Sequence, residues 1–448
     1  MLAALVLAAA GAAVIAVVLP ALQRSPSAPP DASGTTVPAA GPVLSVPASV
    51  APSSPGFVNA LRGLVDGAVA LTGNGTPITI EPGGAFTMLI PQGTASIELV
   101  ATTADGAQTA VTVGVTDQPV APSYPPTAAL HVRGVEWAVP EIREQILGLA
   151  RSGRINAVQL DIKDEAGEVG YSSAVPLVAT VGANAAHYDA AAAVAELHAA
   201  GVRVIGRIVC FLDPLLARWA WGAARPEMIV LDAAGTGPLA NNYGAAAFTN
   251  PANAEVRQYQ VDLAREAVAL GFDDVLYDYV RRPEGDLAGM QLPGLTTAPD
   301  IAIARFVADT KAALAGTPAT LGVSVFGISA SRPEPTAQDI RLLAPLVDYL
   351  APMVYPSHWG PGEYGVADPV RQPADIVARS VADFERVAAG SGAAVVPWLE
   401  DFSAGDVVYG PVEVRAQIDA ARAVGAEGFL LWNPHSTYSI DALDPPTR

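Results

Sequence analysis

The stretch Gly271-Phe-Asp-Asp-Val-Leu-Tyr-Asp-Tyr-Val-Arg-Arg-Pro283 decides the fold. It starts as a short apolar strand through Val275, Leu276 and Tyr277, then stops abruptly in a carboxylate, an aromatic ring and two guanidiniums. A strand that delivers Asp278, Tyr279, Arg281 and Arg282 at its carboxyl end is how a (β/α)8 barrel builds an active site. An ordinary buried strand with a charged exit loop is the plain alternative. The two are separated by whether the rest of the chain repeats the pattern.

It does. Outward from that strand, apolar strand-like runs fall at 130–135, 157–162, 202–211, 274–279, 320–326, 348–355, 394–399 and 428–432. Between them lie amphipathic, Ala-rich stretches at 141–150, 189–200, 254–270, 302–315, 374–389 and 412–424. Gly201, Gly271 and Gly425 follow helical stretches where a C′ glycine belongs. About eight strand–helix units in about 310 residues match an α/β (β/α)8 TIM barrel, here spanning 128–441. A doubly wound sheet needs a Gly-rich phosphate turn after an early strand, and no G-x-G-x-x-G follows any of these.

Acids and aromatic rings gather at the carboxyl ends of the runs. The first leads to Glu136 and Trp137, the second to Asp161, Lys163, Asp164 and Glu165. The third carries Arg207 and ends at Asp213; the fourth gives Asp278, Tyr279 and Arg281. The fifth exit, Phe326-Gly-Ile-Ser329, is nearly uncharged. The sixth supplies Tyr355, Ser357, His358 and Trp359, and the seventh Trp398, Glu400, Asp401 and Phe402. The eighth adds Trp432, Asn433 and His435. Alternation in Ala157-Val-Gln-Leu-Asp-Ile-Lys163 puts Gln159, Asp161 and Lys163 on one face, expected to point into the barrel. Arg207, on the inward parity of the third strand, is then the natural partner of Asp161, since a buried charge must be paired.

Carbohydrate chemistry uses such groups. Breaking a glycosidic bond takes one carboxyl that donates a proton and a carboxylate that attacks or activates water. Aromatic faces stack on sugar rings, while Asp, Arg, His and Asn hold hydroxyls. Asp278 is the first candidate for the catalytic carboxylate, with Asp401, Glu400 or Asp213 as its partner. Metal chemistry has little support, because His131, His187, His198, His358 and His435 show no H-x-H or H-x-x-x-H spacing. No G-x-S-x-G turn offers a serine nucleophile. No cofactor is expected.

Bulk properties narrow the partners. A formal net charge of -19 with only 25 Lys and Arg, and no basic run, argues against nucleic acid. The one cysteine, Cys210, lies in an apolar run and reads as a small buried hydrophobe; it excludes an intramolecular disulfide. Residues 1–24 form an apolar leader, read as an N-terminal hydrophobic helix that exports the chain and attaches it to a membrane. The expected location is the outer side of the cytoplasmic membrane, or the medium if the leader is cleaved. Residues 25–55, dominated by Pro, Ala, Ser, Val and Thr, read as an extended spacer. Residues 56–118, with alternating runs split by Gly-Asn-Gly and Pro-Gly-Gly turns, read as a small all-β Ig-like module.

Taken together, Gln159-Leu-Asp-Ile-Lys-Asp-Glu-Ala-Gly167, Gly206-Arg-Ile-Val-Cys-Phe-Leu-Asp-Pro214, the 271–283 stretch, Ala351-Pro-Met-Val-Tyr-Pro-Ser-His358, Pro397-Trp-Leu-Glu-Asp-Phe402 and Leu430-Leu-Trp-Asn-Pro434 carry a resemblance. In this order, across roughly 132–438, the chain resembles a bacterial family of glycoside-hydrolase-type (β/α)8 barrels once of unknown function. That family is similar in turn to amylase-like barrel hydrolases. The resemblance implies catalytic carboxylates after strands four and seven, carried here onto Asp278 and Asp401. Glu400 stands where the family usually has Gln. The fifth exit has only Gly327, Ile328 and Ser329 where amylase-like enzymes place a general-acid Glu, so an amylase-type mechanism does not transfer whole.

The sequence therefore leads to an exported glycoside hydrolase acting on a cell-envelope or extracellular polysaccharide or oligosaccharide. Asp278 with Asp401 or Glu400 supply the carboxylates. Asp161, Lys163, Arg207, Asp213, Arg281, Tyr355, His358 and Asn433 are expected to hold substrate, and Trp359, Trp398 and Trp432 to stack on sugars. The alternative is a barrel that binds glycan without cleaving it and serves envelope assembly.

Overall fold

The computed structural model describes residues 41–50, 60–91, 93–116, 123–426 and 428–446. The leader at 1–24, and with it the expected membrane attachment, lies outside the described residues, as does the spacer up to residue 40. Among the described residues no helix is long and apolar enough to cross a membrane.

Eight parallel strands close on themselves. They are β1 (Ala128–Val132), β2 (Ala157–Lys163), β3 (Arg203–Val209), β4 (Asp274–Asp278), β5 (Thr320–Phe326), β6 (Tyr349–Met353), β7 in two pieces (Ala394–Val395 and Trp398–Glu400) and β8 (Phe429–Trp432). Each strand pairs with its neighbours in chain order, β8 pairs with β1, and β5 pairs with β6. This is the expected (β/α)8 barrel. β7 is split because Pro397 has no N–H to give to the ladder; its carbonyl still accepts from Leu430 at 2.9 Å. The helices Pro140–Arg151, Ala190–Ala199, Ala254–Ala269, Pro299–Ala313, Pro373–Ala388 and Pro411–Ala423 surround the strands. Gly271 and Gly425 leave their helices at φ +98° and +113°, a conformation that would strain a side chain.

The outward faces of the strands and the helices share one apolar core that includes Val158, Leu160, Ile162, Val204, Ile208, Val275, Tyr277, Val323 and Val325. A separate inner cluster of Ala129, Ala157, Ile205, Leu276, Tyr349, Ala351, Val396, Trp398 and Leu430 fills the barrel axis. The Tyr349 ring fits there because Gly322 faces it: a Cβ on Gly322 would stand 2.2 Å from the ring. Tyr124, from the segment before β1, stacks on Tyr349 at 4.2 Å and closes the N-terminal end of the axis.

The N-terminal module is two sheets around a core of Leu61, Val65, Leu71, Phe86, Ile97, Leu99 and Val113. One sheet has three strands and the other five. Two of these strands, Val43–Ser45 and Ser49–Val50, lie inside the stretch expected to be spacer. Pairing with strands Ala60–Asp66 and Gln108–Val115 satisfies their backbone groups, which composition alone could not foretell. The module is fixed to the barrel by the Arg62–Asp339 ion pair, by Arg305 on the Gly83 carbonyl, and by Arg305 Nη1 on Asp66 at 2.8 Å.

Candidate active site

The carboxyl end of the barrel holds one guanidinium surrounded by acids. Inward parity on β2 and β3 brings Asp161 and Arg207 side by side in register, and Arg207 Nη1 donates to Asp161 Oδ1 at 3.0 Å. Asp278, at the end of β4, takes Arg207 Nε at 2.9 Å and Nη2 at 2.7 Å on its Oδ2. Its Oδ1 accepts from the Tyr279 backbone N–H at 2.7 Å. The same Nη2 also donates to Glu165 Oε1. His131 on β1 completes the row with Nε2 2.9 Å from Asp161 Oδ1.

Burial alone would raise the Asp161 carboxyl, but His131 and Arg207 more than offset that and hold it below the usual range. Burial likewise opposes the charge on Arg207, yet Glu165, Asp161 and Asp278 keep it firmly protonated. Next to this row, burial and the charges of Glu165 and Asp161 push the Asp164 carboxyl up to about 7. Asp161 and Asp278 are nearly enclosed, at 3% and 5% side-chain exposure, whereas Glu165 is 42% exposed. Glu165 is the member of the row that meets solvent. Asp161 Oδ2, His131 Nδ1 and both amide ends of Gln159 are buried without a protein hydrogen-bond partner. Buried polar atoms are seldom left without a partner, and a water or a ligand can supply one here.

Across the mouth, the exits of β6, β7 and β8 build an aromatic wall. Tyr355 lies 5.6 Å from Trp432 and 6.0 Å from Phe402, and Phe402 and Trp432 meet edge-on at 4.9 Å. His358, exposed, packs edge-on to Tyr355 at 5.1 Å. Burial raises the Tyr355 hydroxyl well above its ordinary value, as do the charges of Asp278 and Glu400, with Arg207 opposing. Tyr355 thus stands within electrostatic reach of both carboxylates.

Several residues expected at the site are elsewhere. A bulge between Asp161 and Lys163 turns Lys163 out of the barrel, where it pairs with Asp213 at 2.7 Å and sits 4.8 Å above the Tyr259 ring. Asp213 caps the helix Pro214–Gly222 through Leu216 N–H, and neither member of that pair is open to substrate. Arg281 is 1% exposed; it lies against the rings of Tyr243, Phe248, Tyr279 and Phe326 and pairs with Glu284 at 2.9 Å. Trp398 is buried in the axis, its Nε1 on Ser324 Oγ at 3.0 Å, and Trp359 packs in the outer core. Both have their faces covered by protein, so only Trp432 of the three tryptophans faces the mouth half-exposed. Asn433 braces the β8 exit, its amide on the Asp401 carbonyl and its Oδ1 accepting from His435 N–H.

The two acids after β7 also part company. Glu400 is fully buried; its Oε2 accepts from Ser357 N–H at 2.9 Å, its Oε1 has no protein partner, and burial pushes it up to about 7. Asp401, on the opposite parity, is held by Ser439 through its N–H at 2.7 Å and Oγ at 2.8 Å, and burial raises its carboxyl. Neither lies on Arg207 with Asp278. His131 escaped the sequence reading although alternation along Ala128-Ala-Leu-His-Val132 places it inward with Ala129. Glu165 lies beyond the end of β2, where alternation no longer tells direction.

A closed parallel barrel with convergent carboxylates and an aromatic wall at the carboxyl ends of its strands defines an enzyme of the glycoside hydrolase class. The family model described as "Putative glycosyl hydrolase domain" matches residues 129–438, and the chain belongs to that family. No curated protein sequence matches the chain. Among solved structures, a hypothetical protein from Ruminiclostridium thermocellum ATCC 27405 is 31% identical over 43% of this chain and 96% of that one, with a TM-score of 0.39. The glycoside hydrolase domain of PgaB (BpsB) from Bordetella bronchiseptica is 15% identical over 70% of this chain and 95% of that one, with a TM-score of 0.50. The alpha-galactosidase TtGalA from Thermus thermophilus is 15% identical over 85% and 86% of the two chains, with a TM-score of 0.44. The second of these likenesses shows a shared barrel fold.

Proposed function

We propose that the protein is an exported glycoside hydrolase that cleaves a cell-envelope or extracellular polysaccharide, with Asp278 and Glu165 as its carboxylate pair. The observation that carries this reading is the sharing of Arg207 Nη2 by both carboxylates. Two oxygens on one nitrogen lie no more than about 5 Å apart, close enough for both carboxylates to act on one bond. Asp278, gripped by three N–H donors, is positioned to attack or stabilise the sugar carbon. Glu165, the member open to solvent, is placed to exchange protons with the leaving oxygen and with water. Asp161, Arg207 and His131 then position the pair, and the half-exposed Phe402 and Trp432, backed by the buried Tyr355, offer ring faces to a sugar. Glu400, buried and close to neutral, takes the place of an amide in supporting the Ser357 backbone, and Asp401 braces the β8 loop. Export rests on the apolar leader and the spacer that follows it.

Reducing-sugar release from a panel of bacterial and plant glycans tests this. Wild-type release, abolished in both Asp278→Asn and Glu165→Gln, is the expected result. Binding of a glycan by wild type with no release would favour the non-catalytic barrel, for which the enclosure of Asp278 by Arg207 and the acid-free β5 exit are the supporting observations.

A further inference from the structure

Tyr243 is a large aromatic residue that is 40% exposed and yet held in place. It sits at the turn of the hairpin formed by Ala240–Asn241 and Gly244–Ala245, in the long segment after β3. The Arg281 guanidinium lies 5.9 Å from its ring centroid, and Arg281 Nη2 donates to its hydroxyl at 3.2 Å. That hydroxyl also donates to Glu284 Oε1 at 3.3 Å. Phe248 and Tyr279 meet the ring at 5.5 Å and 5.9 Å with interplanar angles of 78° and 87°, in T-shaped contacts that leave the side chain 40% exposed. A ring fixed by charge and T-shaped contacts, and still open to water, loses little conformational freedom when something stacks on it.

Its place is as telling as its support. Tyr279 directly follows Asp278 and holds that carboxylate through its backbone N–H. Tyr243 packs against the Tyr279 ring at 5.9 Å, on the β3–β4 side of the mouth. The wall of Tyr355, Phe402 and Trp432 belongs to β6, β7 and β8. In a ring of eight strands, β4 and β8 lie opposite each other.

We infer that Tyr243 is a second sugar platform, and that with Trp432 it brackets the carboxylates so that a glycan chain lies across the mouth with pyranose units on both sides of the bond that breaks. This rests on the hydrolase reading and deepens it: the substrate is an internal stretch of a chain, not a terminal sugar. It also gives the Arg281 side chain its function, as the prop behind Tyr243 instead of a contact to substrate.

Mobility in native gels cast with soluble β-glucan, glucomannan, galactomannan or water-soluble chitin tests the platform without requiring cleavage. At least one glycan should retard the wild type; Tyr243→Ala should weaken that retardation about tenfold, and Tyr243→Phe should restore it. Equal retardation of wild type and Tyr243→Ala, or retardation by none of the glycans, overturns the platform. On a glycan that is cleaved, viscosity should fall well before reducing ends accumulate. Release of single terminal sugars overturns the bracketing. Binding that depends on Tyr243 with no cleavage sinks the hydrolase reading and leaves the platform standing.

Discussion

The two ends of the barrel use the same chemistry to different effect. On β3, Arg203 and Arg207 lie one above the other on the inward face, and on β4 Asp274 and Asp278 do the same. At the N-terminal end Arg203 pairs with Asp274, which also accepts from Tyr124 at 2.7 Å and Thr320 at 2.5 Å. Arg203, 27% exposed, then lies over the Tyr124 ring at 4.7 Å. At the carboxyl end Arg207 pairs with Asp278, but two more acids crowd it, and neighbouring polar atoms are left without protein partners. At the barrel floor one cation is matched to one acid. At the mouth one cation serves three, and the outermost, Glu165, is open to solvent.

The sharpest way to break this comparison is to remove the matching carboxylates. Asp278→Asn and Glu165→Gln should each lower kcat/KM by about a thousandfold, since each removes a group acting on the reacting bond. Glu165→Gln should lower the melting temperature less than Asp274→Ala does, because that side chain is 42% exposed and Arg207 keeps Asp161 and Asp278. Asp274→Ala should do the reverse: destabilise by about 3–5 kcal/mol in denaturant titration, with normal turnover by the molecules that remain folded. If Asp274→Ala abolished turnover at full stability, the floor and mouth would not differ in kind.

Glu400 sharpens the contrast through pH. In the fold burial raises its carboxyl from 4.5 to about 7. Between those values the folded protein holds the proton more tightly than the unfolded chain, so this group costs nothing below 4.5 and stability falls as pH rises to 7. Glu400→Gln lacks the proton to lose. Its stability should drop less than wild type between about pH 5 and about pH 8, by on the order of 1–3 kcal/mol. Parallel curves would show that Glu400 is charged throughout. The smallest effect is expected from Tyr124→Phe, which loses a buried hydroxyl on Asp274 and should cost about 1–2 kcal/mol in thermal or chemical unfolding, with no change in activity.

Much of the site was legible along the strands and little beyond them. Alternation placed Asp161 and Arg207 together, and the abrupt end of β4 singled out Asp278. Lys163 follows the same alternation on paper, but the bulge after Asp161 turns it to Asp213. Trp398 does face inward as alternation requires; its depth in the axis, set by neighbours such as Ser324, is what keeps sugars away from it. Asp401 and Glu400 are adjacent in sequence and therefore face opposite ways, one to Ser439 and one toward Ser357.

Periodicity, glycine positions and the clustering of acids after apolar runs determined the barrel, its eight strands and the end that carries the chemistry. These are properties of a repeating backbone, and they can be read in one dimension. The tertiary structure alone decided which acid shares Arg207 with Asp278, which rings stay open, and that Arg281 supports Tyr243. Past the last ladder hydrogen bond a side chain takes its direction from neighbours that are distant in sequence, and no local pattern records them.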